Sequence, residues 1–173
     1  VCLGQEEPLF WANLIVLAAA FIFLAVIYWR RIRKGSKGLF SGTWVQGEKR
    51  KFPGEALFFF ILFVLLSWIM FYVFYIKDGT LYSGFTVYGD YAPHTAMMRS
   101  FSRGNNFPTQ YPHFGGEDVK YHFMFQFLIG NLEYLGLRLD VAYNMMSVFA
   151  LLGFLMLLYC LAGRITGSRK AGA

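Results

Sequence analysis

The chain has 173 residues, of which 57% are hydrophobic and 20% aromatic, and its formal net charge is +6. Three long runs lack any charged residue, and each is long enough to cross a hydrocarbon core of about 30 Å, which indicates an integral membrane protein. In a membrane protein the distribution of charge matters more than its sum, so the net charge is no sign of nucleic-acid binding. Cys2 and Cys160 show no spacing of a disulfide framework or metal motif.

The three apolar runs predict three membrane-spanning helices. They cover residues 8–29, 57–76 and 141–163. Backbone exposed to lipid must satisfy its hydrogen bonds within its own segment, so we expect an all-α fold with polytopic transmembrane helices. The chain begins with Val1 and stops in a polar tail, so we expect it to be an N-terminal fragment of a longer polytopic protein, forming a single membrane domain.

The segment between the first two spans sets the predicted orientation. Residues 30–56 form this connection, and its basic part reads RRIRKGSKGLFSGTWVQGEKRK. Basic connecting segments favour the cytoplasmic side of a membrane. We therefore expect residues 30–56 to be cytoplasmic and residues 77–140 to form a long extracytoplasmic loop.

Within the outer loop, the sequence predicts two helices lying at the membrane surface. The first covers about 90–104, with Pro93 in its first turn and Gly104 at its end. The second covers about 119–137, where His122 and Glu133 leave too short an uncharged stretch for another span. The Pro- and Gly-rich residues 105–118 between them predict a loop.

Asp90 and His94 are the first candidate site residues. A carboxylate near an apolar surface can act as a general base or bind a divalent cation, and a histidine four residues later shares its helix face. Two ligands alone are a weak metal signal, so a divalent cation held by this pair stays one alternative. The other is that Asp90 only caps the helix.

Arg99 and Arg103 are also four residues apart on the first predicted helix. Arginine binds phosphate oxygens with two parallel hydrogen bonds, so this pair is a candidate clamp for a phosphorylated lipid. The alternative is that each side chain extends to the lipid head groups without forming a site. Glu133 and Arg138 fit a solvated helix face better than a site.

A second group of candidates follows the Pro- and Gly-rich loop. The glycines in GGEDVKYHF let backbone approach a ligand closely, and the histidines of the chain cluster in the outer loop. We take these residues as candidates for substrate binding, although histidines of this kind are more often ordinary hydrogen-bonding residues: His113, Glu117, Lys120, Tyr121 and His122.

The order of these features resembles a known superfamily. A spanning helix, then GDYAPHTAMMRSF, a GNNFP turn, GGEDVKYHF, a surface helix and another span resemble polytopic bacterial membrane proteins of the glycosyltransferase C-type (GT-C) architecture. The resemblance covers residues 57–163 and lies more in layout than in residue pattern.

The resemblance implies transfer of a sugar from a polyprenyl-phosphate-linked donor to an acceptor at the outer face of a bacterial cytoplasmic membrane. By analogy, Asp90 is the catalytic or metal-coordinating carboxylate that activates the acceptor, and the arginines face the lipid phosphate. His94 is the second catalytic candidate because of its spacing from Asp90. The alternative is a non-enzymatic membrane subunit or transporter fragment whose outer loop binds a ligand or partner. In that case Asp90 caps a helix and the histidines only hydrogen-bond.

Overall fold

A computed structural model of the chain describes residues 8–33 and 53–167. Most of the basic segment and the polar tail lie outside the described residues. Helix α1, Pro8–Arg33, belongs to a unit of its own. It presents apolar side chains on all sides, as a membrane-spanning helix does.

Two further long helices, α2 (Pro53–Val73) and α5 (Leu139–Thr166), pack side by side in the second unit. The Tyr159 hydroxyl donates a hydrogen bond to Glu55 Oε1 at 2.7 Å, and Phe63 stacks on Phe149 with ring centroids 6.3 Å apart. Since Glu55 precedes Phe63 while Tyr159 follows Phe149, the two helices are antiparallel. Helices α1, α2 and α5 are all long and apolar enough to cross a membrane.

A β-hairpin follows α2 directly, so the expectation of a purely helical fold was wrong. Strands β1 (Phe74–Lys77) and β2 (Thr80–Ser83) pair antiparallel around a two-residue turn. Both turn residues, Asp78 and Gly79, have positive φ values of 51° and 75°, which is the backbone that the commonest tight hairpins require. The predicted second span therefore ends earlier than expected, and its last residues form strand β1.

Two shorter helices lie between the hairpin and α5. They are α3 (Tyr88–Ser102) and α4 (Met124–Tyr134). Each of their four ends lies two to five residues from the predicted end. His94 of α3 contacts Gln126 of α4, and Ser102 contacts Glu133, so the helices run parallel and residues 103–123 return the chain. Pro93 lies inside α3 rather than in its first turn.

The core of the second unit joins the hairpin, α3, α4 and α5. Its fully buried residues include Met98, Ile129, Leu139 and Ala142, with Ile76 packed against them. The α3–α4 contact is close because Gly130 has no side chain: a Cβ there would overlap the Met98 carbonyl oxygen. The coarser prediction of a mostly helical chain with three helices long and apolar enough to cross a membrane is confirmed.

Candidate functional site

The Asp90 carboxylate is exposed near the start of α3 and is not used to cap that helix. The N-cap residue is Val87, and no side chain caps the helix. Asp90 lies in the first helical turn, where the partial positive charge of the N-terminus favours a carboxylate. Asp90 is exposed, and among the described residues it makes no ion pair.

His94, one turn after Asp90, is held by the buried Gln126. We assign the Gln126 amide with its oxygen toward His94 Nδ1, 2.7 Å away, because its nitrogen then donates to the carbonyls of His122 and Phe123 at 3.1 and 3.3 Å. In this orientation Nδ1 carries a proton and donates to the Gln126 oxygen, so Nε2 is the acceptor atom of the neutral ring. The Tyr121 ring lies beside the imidazole, with centroids 6.0 Å apart.

Arg99 and Arg103 both face Glu133. Arg103 Nη2 lies 3.4 Å and Arg99 Nε 3.7 Å from Glu133 Oε1, while the Ser102 hydroxyl donates to Oε2 at 2.7 Å. The Glu133 side chain is only 10% exposed, so the expectation that it lies on a solvated helix face was wrong. Two arginines against one carboxylate leave one formal positive charge, and the Arg103 side chain is the more exposed of the two arginines, 67% against 41%.

The structure does not bring Asp90 and Arg99 together. They are nine residues apart on one helix, which is about two and a half turns, so they lie on opposite sides of α3. The carboxylate is instead on the side of His94, one turn away. A site in this chain that uses both Asp90 and the arginines would need a substrate long enough to pass around the helix.

The remaining candidates lie on the loop that returns the chain to α4. An open groove of about 300 Å³ is lined by Tyr111, Phe114, Glu117, Asp118, Lys120 and Tyr121. Lys120 Nζ pairs with Glu117 Oε2 at 3.3 Å, and both side chains are exposed. The rings of Tyr121 and His122 are in contact, and His113 packs beside Tyr111. Three of the five predicted substrate-binding residues of this group therefore share one groove.

No group of three His, Cys, Asp or Glu residues suited to a metal ion occurs in residues 8–33 and 53–167. The metal interpretation thus depends on Asp90 and His94 alone. Protein metal sites normally take three or four ligands, so a cation here would need ligands from the substrate or water.

Sequence reasoning missed the residues that attach the hairpin to α5. The unpaired edge of β1 is satisfied by side chains: Ile76 N–H donates to Asp140 Oδ2 at 2.9 Å, and Asn144 Nδ2 donates to the Phe74 carbonyl at 2.6 Å. Arg138 forms an ion pair with the fully buried Asp140, and the bonds to this carboxylate raise the pKa of Arg138. The Asp-Gly dipeptide at 78–79 was the available signal for the hairpin.

An aromatic cluster joins this hairpin to α3. Phe74 stacks on Tyr91 with centroids 4.6 Å apart, and Tyr143 packs against both rings. Burial and the neighbouring Tyr143 raise the pKa of Tyr91 to about 12. Packing of Tyr91 on Phe74 and Tyr143 holds the start of α3, and with it the adjacent Asp90, against the hairpin.

Comparison with known proteins does not assign a function or a family to this site. No family model, no curated protein and no solved structure matches the chain.

Proposed function

We propose that this chain is part of a membrane glycosyltransferase of the GT-C architecture, which moves a sugar from a polyprenyl-phosphate-linked donor to an acceptor at the outer face of a bacterial cytoplasmic membrane. In this proposal residues 74–138 face outward, and α3 and α4 lie at the membrane surface. The positive-inside tendency of the basic segment between α1 and α2 supports this orientation.

The observation that carries the proposal is the uncommitted carboxylate of Asp90. The structural explanation for this residue was a helix cap, and α3 has no side-chain cap. An exposed carboxylate at a fixed position shortly after a spanning helix suits a general base that accepts the proton of an attacking hydroxyl group. His94 Nε2, one turn away, is a hydrogen-bond acceptor for the same substrate.

The arginines have a more limited role in this proposal. Glu133 neutralises part of their charge and fixes their positions, and Arg103, whose side chain is 67% exposed, is the one available to a phosphate oxygen. The aromatic and polar groove around Tyr121 then takes part of the acceptor or donor sugar.

One observation favours the alternative of a non-enzymatic membrane subunit. Arg99 and Arg103 are joined to Glu133 and lie away from Asp90, which is what a structural ion-pair network between α3 and α4 would show. In that alternative the exposed groove binds a partner or ligand without chemistry.

Replacing Asp90 by Asn in the full-length protein tests the proposal. Transfer of labelled sugar from polyprenyl-phosphate sugars in isolated membranes should fall by about 10² or more, because general-base catalysis contributes this much. Asp78→Asn is the matched control, since Asp78 is an exposed hairpin-turn residue with a positive φ that Asn also adopts. Unchanged transfer in a normally inserted Asp90→Asn protein would refute the role of Asp90 as base.

A further inference from the structure

The end of α2 and the base of the hairpin carry an unusual number of exposed aromatic side chains. Tyr72 is 73% exposed, Phe85 90% and Tyr88 64%. The hairpin brings these rings together because Gly84 N–H donates to the carbonyl of Val73, the last residue of α2, at 2.8 Å. Phe85 therefore lies where the apolar helix ends, although it is twelve residues further along the chain.

Two of these rings, Tyr72 and Phe85, line an open cavity of about 510 Å³, which we call the aromatic notch. No described residue with a charged side chain lines it: its residues are Phe71, Tyr72, Val73, Tyr75, Tyr82, Ser83, Gly84 and Phe85. Tyr75 and Tyr82 form one wall as a stacked cross-strand pair, with centroids 5.0 Å apart and planes 10° apart. The charged residues of the hairpin, Lys77 and Asp78, lie at its opposite end.

The hairpin is therefore polar at its turn and aromatic at its base. The notch is continuous with the lipid-facing surface of α2, where Trp68 is also exposed and stacks on Tyr72. Aromatic rings with one polar end prefer the boundary between lipid chains and water. The chemistry of a charge-free aromatic cavity beside the end of an apolar helix suits the ester region and upper chain of a phospholipid better than a water-soluble ligand.

We propose that the aromatic notch lies in the membrane interface and holds the upper part of one phospholipid. Because the residues that line the notch are uncharged, a zwitterionic lipid suffices and no anionic head group is required. This inference is independent of the proposed transferase activity. It assigns the hairpin the role of fixing the end of α2 at the membrane boundary.

Depth-dependent fluorescence quenching tests the proposal on the full chain in phosphatidylcholine vesicles. A bimane label at Phe85→Cys, in a Cys2→Ser/Cys160→Ser background, should be quenched by lipids with a nitroxide near the head group about threefold more than the same label at Phe114→Cys. Phe114 is the matched control because it is also an exposed phenylalanine, 69% exposed, but lies on the returning loop. Iodide dissolved in the water should quench the label at position 114 more strongly than the label at position 85.

A second label at Tyr82→Cys gives an independent reading of the same notch. Strong iodide quenching at both notch positions would overturn the proposal, because the notch would then face water. Protection from both quenchers would overturn it in favour of a covering protein segment. Lipid quenching that appears only after anionic lipid is added would also overturn the proposal, since an uncharged notch should not require an anionic head group.

Discussion

At the scale of single residues, the hairpin depends on side chains from the start of α5. A strand edge exposes unpaired backbone groups, and burying them unpaired is costly. Asp140 and Asn144, four residues apart on one face of α5, bond to β1 over sequence separations of 64 and 70 residues. Asp140 and Asn144 are therefore specific partners for the β1 backbone.

Replacing Asn144 by Ala should lower the free energy of unfolding by about 1–3 kcal/mol, because the buried Phe74 carbonyl loses its donor. The midpoint of unfolding by a denaturing detergent in mixed micelles measures the change. Met145→Ala is the control, since Met145 is the adjacent, exposed residue of the same helix. An equal loss in both variants would show that the hydrogen bond to Phe74 contributes little.

The Tyr91 hydroxyl should ionise late in an alkaline titration. Its pKa in the folded protein is raised to about 12, first by burial and then by Tyr143. A raised pKa means that the folded state keeps the proton when the unfolded state has lost it, so the stability that Tyr91 adds is present below about pH 10 and is lost toward pH 12. Tyrosinate absorbance should show one step near pH 12 that Tyr91→Phe removes; a titration that this substitution leaves unaltered contradicts the assignment.

At the scale of elements, α3 and α4 form a parallel pair held at close range. Their contact combines the glycine at position 130, the Phe101 ring packed on Phe127, and the ion pairs to Glu133. Parallel helices need a long returning connection, which here is the loop of residues 103–123. The α3–α4 contact therefore positions the candidate site residues of α3 and also the end of the loop, because the loop must end where α4 begins.

Gly130→Ala should force α3 and α4 apart. The added Cβ would overlap the Met98 carbonyl oxygen and lie 2.9 Å from Phe101 Cβ. We expect a loss of about 1–3 kcal/mol in the free energy of unfolding, typical of overpacking. Gly153→Ala in α5 is the control, because its Cβ would meet nothing within 4 Å, and it should be neutral or stabilising. Similar stability of the two variants would argue against the close α3–α4 contact.

At the scale of the whole molecule, the second unit combines two helices long and apolar enough to span a membrane with a folded region made by the hairpin, α3 and α4. Both α2 and α5 join this region at the ends that meet the hairpin, since β1 follows α2 and the start of α5 bonds to β1. The region therefore lies at one end of the α2–α5 pair. In the proposed orientation this end faces outward.

Cysteine labelling should place this region and the basic segment on opposite sides of the membrane, because one span, α2, separates them. In the background without Cys2 and Cys160, a membrane-impermeant maleimide should label Phe114→Cys in right-side-out vesicles and label Ser41→Cys only after permeabilisation. The reverse order would invert the topology and would remove the outer-face site from the proposed function.

The candidate site was predictable only in part. Local patterns indicated the two short helices and placed Asp90 with His94 one turn apart. They could not show that Gln126 holds His94 or that Glu133 pairs with both arginines, since these partners are 30 to 34 residues away in the chain. The sequence therefore predicted that the two arginines are unpaired and available to bind a phosphate, whereas in the structure both lie against the Glu133 carboxylate.

Hydropathy along the chain was enough to predict the three apolar helices and their ends to within a few residues, because spanning a membrane depends on the length and hydropathy of one continuous segment. The edge contacts of β1, the partners of the arginines and the position of the aromatic notch emerged only in the folded chain. The physical reason is that hydropathy adds up along the chain, whereas hydrogen bonds, ion pairs and cavities depend on residues that only the fold brings together.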